Sequence, residues 1–180
     1  MAAKPPRCVL PLPERGEPGA DARALVLDTN IVLDLLLFAD AAVAPVRALL
    51  DAQRLCWVAT PPMRDELARV LAYPQIAPRL AFHGLTAGEL LRSYEAQVRW
   101  VDVAPRVSAV CKDADDQHFI DLAVAHRAIL LSKDKAVLCM QKRLLALGAQ
   151  AAAAIVFEAS GWAAVSSAAT LATPSAVLMA

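Results

Sequence analysis

Ala24-Leu25-Val26-Leu27-Asp28-Thr29-Asn30-Ile31-Val32-Leu33 is the stretch on which the fold turns. Leu25, Val26 and Leu27 form an uninterrupted apolar run, the signature of a strand buried on both faces. Asp28 falls where that strand ends. Thr29 and Asn30 are residues that favour helix starts, and Ile31 to Leu37 reads as an apolar helix. A carboxylate at the carboxyl end of a buried parallel strand sits on the edge of an open α/β sheet where ligands bind.

The same alternation recurs along the chain. Apolar strands are expected at 54–59 (RLCWVA), 100–103 (WVDV), 128–131 (AILL) and 151–157 (AAAAIVF). Helices are expected at 40–51, from Pro61 through MRDELARVLAY, within 79–98, at 116–127 and at 135–147. Thr60 and Thr86 stand as caps, and Gly148 as a stop. Strands alternating with helices imply an α/β fold with a parallel sheet covered on both faces. Residues 1–22, rich in proline, glycine and charge, read as a flexible extension. Residues 23–158 form the domain, and residues 159–180 an alanine-rich tail. The apolar groups of that tail are expected to pack on the domain or on a second copy, making a homodimer.

The 180 residues suffice for one domain with a real core. Hydrophobic residues reach 58% and the mean hydropathy is +0.45, but much of this is alanine. No run of about 18 strongly apolar residues is present to cross a membrane, and the proline-studded start is not a secretory signal, so a cytoplasmic protein is expected. Lys plus Arg equals Asp plus Glu, at 18 each. This balance gives no basic signature of nucleic-acid binding, yet an acidic site beside a basic rim would produce the same sum. Cys8, Cys56, Cys111 and Cys139 lie too far apart for a zinc motif and read as buried free thiols.

Four acids occupy equivalent places at the sheet edge: Asp28 after the first strand, Glu66 early in the helix after the second, Asp116 opening the helix after the third, and Asp134 after the fourth. Carboxylates gathered in one cleft repel one another, so a cation must compensate. With no His or Cys partners, an all-oxygen site suits Mg²⁺ or Mn²⁺. Such ions activate water and shield a phosphate, the requirements of phosphodiester cleavage without a protein nucleophile.

With VLDTNIVLDLLL, PPMRDELARVL, KDADDQHFIDLAVA and AILLSKDKAVL in that order, the chain resembles the PIN-domain nucleases, in particular bacterial members that serve as toxins of toxin–antitoxin systems. The resemblance covers about residues 24–157. It implies a three-layer α/β/α sandwich around a parallel sheet of about five strands, and metal-dependent endonucleolytic cleavage of single-stranded RNA. It also implies a cognate antitoxin as partner. Asp28, Glu66, Asp116 and Asp134 match the family's acidic quartet, and Asn30 and Ser132 its accessory polar positions. In the third motif Asp113, Asp115 and Asp116 crowd together; Asp116 is favoured, Asp115 is the alternative ligand, and Asp121 also points toward that end.

Each of these residues has a plainer reading. Asp28 and Asp116 are good caps, Asp134 a turn residue, acids such as Asp65 and Glu66 suit a helix start, and Asn30 and Ser132 divide between cap and site. Lys133 and Lys135 are read as a rim for RNA phosphates, with a solvated helix face as the alternative. His83, His118 and His126 share no ligand spacing. The three tryptophans read as packing residues. A non-catalytic RNA- or protein-binding module and a DNA nuclease are the rival functions.

Overall fold

The computed structural model describes residues 5–10 and 22–158. Its elements run β1 (Arg7–Leu10), β2 (Arg23–Leu27), α1 (Thr29–Leu33), α2 (Ala44–Asp51), β3 (Leu55–Ala59), α3 (Pro61–Leu71), α4 (Ala77–Phe82), α5 (Ala87–Gln97), β4 (Arg99–Trp100), α6 (Gln117–Ala125), β5 (Ile129–Leu131), α7 (Lys135–Leu138), α8 (Gln141–Ala146), β6 (Gln150–Ala152) and β7 (Ala154–Phe157). Five strands form a parallel sheet in the order β4-β3-β2-β5-β6. This is the expected sheet of about five parallel strands flanked by helices.

The apolar run at 25–27 becomes the middle strand because burial on both faces is what such a run can satisfy. Leu25, Val26 and Leu27 are buried, with β3 on one side and β5 on the other. From β2 the chain builds outward to β3 and β4, then returns across β2 to add β5 and β6. The order reverses between β2 and β5, and a crevice opens at such a switch point outside the carboxyl ends of the strands.

The helices follow their apolar spacing. Met63, Leu67 and Leu71 bury one stripe of α3, and Phe119, Ile120, Leu122 and Ala123 do the same for α6. Thr86 and Glu89 close a reciprocal capping box on α5. Thr60 precedes α3 but makes no side-chain cap. Trp57 is buried edge-on against Tyr94, with ring centroids 5.1 Å apart. Of the cysteines, Cys8 and Cys111 are buried, whereas Cys56 is only partly so and Cys139 is exposed, so burial of all four is corrected.

Three further expectations are corrected. The extension is not featureless: Arg7–Leu10 is a strand, and it pairs in parallel with β7, Cys8 lying opposite Ile155. The apolar run at 151–157 is two strands, not one. Ala153 donates its amide to Pro6 at 2.8 Å, so β6 stays in the main sheet while β7 turns away to meet β1. The helix at 135–147 breaks into α7 and α8 around Cys139 and Met140. Beyond these, the helix after β2 widens into a π-turn over Asp34–Phe38, ending at Ala39 in the left-handed region, φ +48°. The tail at 159–180, and with it the packing expected of that tail, lies outside the described residues.

Candidate active site

Asp28 and Ser132 follow the two strands that flank the switch point. Asp28 is only 5% exposed, and Ser132 is fully buried. The Asp28 amide donates to the Leu131 carbonyl at 3.0 Å, which carries the ladder between β2 and β5 one residue past the strands. Its own carbonyl accepts from Ile31 and Val32 and starts α1. The carboxylate is not a cap. It accepts from Asn30 Nδ2 at 2.7 Å and from the Ser132 hydroxyl. Burial pushes the Asp28 carboxyl up, and these two donors only partly offset it.

Glu66 reaches the same edge from the second turn of α3. Thr29 donates its hydroxyl to Glu66 Oε1 at 2.6 Å, and His118 Nε2 lies 3.1 Å from Oε2, close but not aligned as a hydrogen bond. Burial acts to raise the Glu66 carboxyl, but the polar contacts and positive charge of His118, the Thr29 hydroxyl and Arg69 outweigh it and hold it below the ordinary range.

Asp116 stands at the start of α6 and makes no capping bond. Its Oδ2 is buried with no hydrogen-bond partner. Burial first, then the charges of Asp28, Asp134, Asp113 and Glu66, push its carboxyl up to about 7. The three other members of the expected quartet thus all act on Asp116. A buried carboxylate oxygen with no donor, facing like charges, is chemically suited to a cation.

Asp134 differs. It is exposed and caps α7, accepting from the Ala136 amide at 2.6 Å, while its own amide donates to Ser132 Oγ at 2.9 Å. Asp115 is exposed, and Asp113 accepts from its amide at 3.0 Å in a local turn. Asp121 points elsewhere: it accepts from the Val107 amide at 3.0 Å and from Gln117 at 2.7 Å, anchoring the loop before α6. Lys133 does not present a free charge to a phosphate. Its Nζ lies 2.5 Å from Asp34 Oδ2 and 3.8 Å from Asp40, while its amide donates to Asn30 at 3.3 Å. Lys135 is exposed at the start of α7.

Among the described residues, no three His, Cys, Asp or Glu side chains converge tightly enough to form a ready metal cage. Magnesium needs no such cage, because it keeps several waters and takes one or two carboxylates from the protein. The oxygen-only donor set around Asp116 fits that requirement.

The family model for the PIN domain matches residues 24–136, which contain all four acids. The chain belongs to the PIN-domain family. PIN domains are generally nucleases, hydrolases of the phosphodiester bond, and typically use divalent metals. No curated protein and no solved structure matches the chain. No helix among the described residues is long and apolar enough to cross a membrane.

Reading the PIN motifs in sequence missed two contributors. Thr29 passes for a cap residue, and only the approach of α3 shows that its hydroxyl serves Glu66. His118 carries no spacing signal, since its contact depends on α6 lying beside α3.

The raised Asp116 value sets a pH dependence for the metal-free PIN domain. Between about pH 4 and 7 the folded protein keeps a proton on Asp116 that the unfolded chain has released, so stability falls as pH rises through that window. Asp28, also raised, acts in the same direction. Glu66, lowered, acts in the opposite direction and only at more acidic pH. Urea unfolding in chelator from pH 4 to 7.5 is expected to show this decline, and Asp116→Asn to flatten it.

Proposed function

We propose that this PIN domain is a divalent-metal-dependent endoribonuclease that hydrolyses phosphodiester bonds of single-stranded RNA. We place it in the cytoplasm as the toxin of a toxin–antitoxin pair. The observation that carries the reading is the unpartnered, buried Asp116 Oδ2, whose carboxyl is pushed up by burial and by the neighbouring acids, Asp28, Asp134 and Glu66 among them. Asp28 and Asp116 are the residues proposed to hold Mg²⁺ or Mn²⁺, with Glu66 and Asp134 completing the acidic rim. The bound ion supplies Lewis-acid chemistry, activating water and stabilising the charge that develops on the phosphate. The chain's own part is orientation. Ser132 and Asn30 fix the Asp28 carboxylate, while Thr29 and His118 fix Glu66. A homodimer and a protein antitoxin are the proposed partners.

A non-catalytic binding module is the second reading. It draws on the absence of a three-residue cage among the described residues and on the capping bond of Asp134. An end-labelled single-stranded RNA incubated with Mn²⁺, with Mg²⁺ or with chelator separates the two. Cleavage with metal alone is expected. Binding without cleavage selects the module, and faster cleavage of DNA selects the DNA nuclease.

A further inference from the structure

Beside the acids, a cleft of about 520 Å³ opens between α3 and the start of α6. One wall is a single face of α3 and the turn after it: Glu66, Arg69, Val70 and Tyr73 stand at i, i+3, i+4 and i+7, so all four line the same side. The facing wall carries Asp115 and His118. Glu66 belongs to both the cleft and the acidic centre, and His118 contacts it, so the cleft starts where the proposed chemistry ends.

The lining is unlike a core cavity. Tyr73 is 47% exposed, a large aromatic ring left in contact with water. Arg69 is exposed, and among the described residues no carboxylate lies within ion-pair distance of it. A flat ring, an apolar Val70 beside it and a cation one turn along the helix match the parts of one nucleotide: a base to stack, and a phosphate to pair. Glu66 and Asp115 within the cleft repel a phosphate, so the base enters and the phosphate stays at Arg69. The size is that of a small-molecule site. A base held in a duplex is stacked and cannot enter, whereas one in a single strand can.

We propose that this cleft is a nucleotide subsite, in which Tyr73 stacks the base next to the scissile phosphate and Arg69 contacts that nucleotide's backbone phosphate. The inference rests on the ribonuclease reading above. It adds a reason for single-strand preference that the acidic centre does not provide.

The test uses the full chain in two steps. Cleavage of a single-stranded RNA by the wild type with Mn²⁺ establishes the nuclease itself. Binding is then measured by fluorescence anisotropy of a labelled hexaribonucleotide, in the Asp116→Asn background so that the oligonucleotide survives. Adding Tyr73→Ala is expected to weaken binding roughly tenfold, the scale of one lost base stack, and Tyr73→Trp to restore it. Adding Arg69→Gln is expected to reduce the slope of log affinity against log salt by about 0.7, the share of one phosphate on a single strand. A 2-aminopurine in the oligonucleotide should be quenched on binding with Tyr73 present and not with Tyr73→Ala. Melting curves of these variants are expected to match their parent, because both side chains are exposed. Wild-type cleavage combined with unchanged binding by Tyr73→Ala overturns the subsite and leaves the nuclease standing. A wild type that neither cleaves nor binds RNA overturns both.

Discussion

Asp116→Asn is expected to lower Mn²⁺-dependent cleavage of single-stranded RNA by about 10³-fold or more, the cost of losing several kcal/mol of stabilisation at the reacting phosphate. Its carboxyl is the one on which burial and the neighbouring acids converge, and its Oδ2 has no protein donor to lose. The amide keeps the shape and removes the charge. Asp113→Asn is the matched control. Asp113 is exposed and its carboxylate serves a local turn, accepting from the Asp115 amide. Its rate is expected to stay within about threefold of wild type, the scale on which a solvated charge acts. Gel-resolved initial rates at saturating metal decide the matter. Equal losses from the two variants would move the metal-holding role out of Asp116 and into the turn before it.

Millimolar Mn²⁺ is expected to raise the melting temperature of the wild type by about 5–10 °C. Binding to the folded state alone at a hundredfold excess over Kd contributes about 2.7 kcal/mol, and each kcal/mol moves a domain of this size by about 2–4 °C. The metal-free protein starts from a strained position, with Asp116 and Asp28 both held above the ordinary carboxylate range. Asp28→Asn is expected to remove most of the rise, since it takes a buried negative charge out of the centre of the site. Differential scanning fluorimetry with Mn²⁺ and with chelator checks this. Superimposable wild-type curves would argue that the acids hold no ion.

The parts of the fold legible in the sequence are those governed by local pattern. Leu25 to Leu27 reads as a buried strand, and the spacing of Met63, Leu67 and Leu71 marks α3. Asp28 and Asp134 could be picked out because each sits where a strand gives way to a helix, and Glu66 and Asp116 because each lies in or at the start of a helix whose apolar spacing is plain. What escaped depends on partners distant in sequence. Arg7–Leu10 is four residues among prolines, and nothing near them announces that Ala154–Phe157 will take them as a neighbour. The run at 151–157 has no breaker between its two strands, because the pull toward β1 divides it. Lys133 reads as a phosphate contact until the π-turn after α1 brings Asp34 against it. His118 reads as inert until α6 lies beside α3.

The ladder between β1 and β7 has a consequence for how the domain assembles. Its two strands stand at opposite ends of the described chain, so the segment from Arg7 to Leu10 leaves the ribosome long before the only described neighbour that pairs with it exists. The ladder cannot form until Ala154–Phe157 is made, just after Gln150–Ala152, the last strand of the five-stranded sheet. Contacts of such long range form slowly, because loop closure precedes their reward. Cys8, buried in the folded domain opposite Ile155, stays uncovered until then. Until that partner is made, the segment from Arg7 to Leu10 is an open β-edge, a natural place for a chaperone to hold.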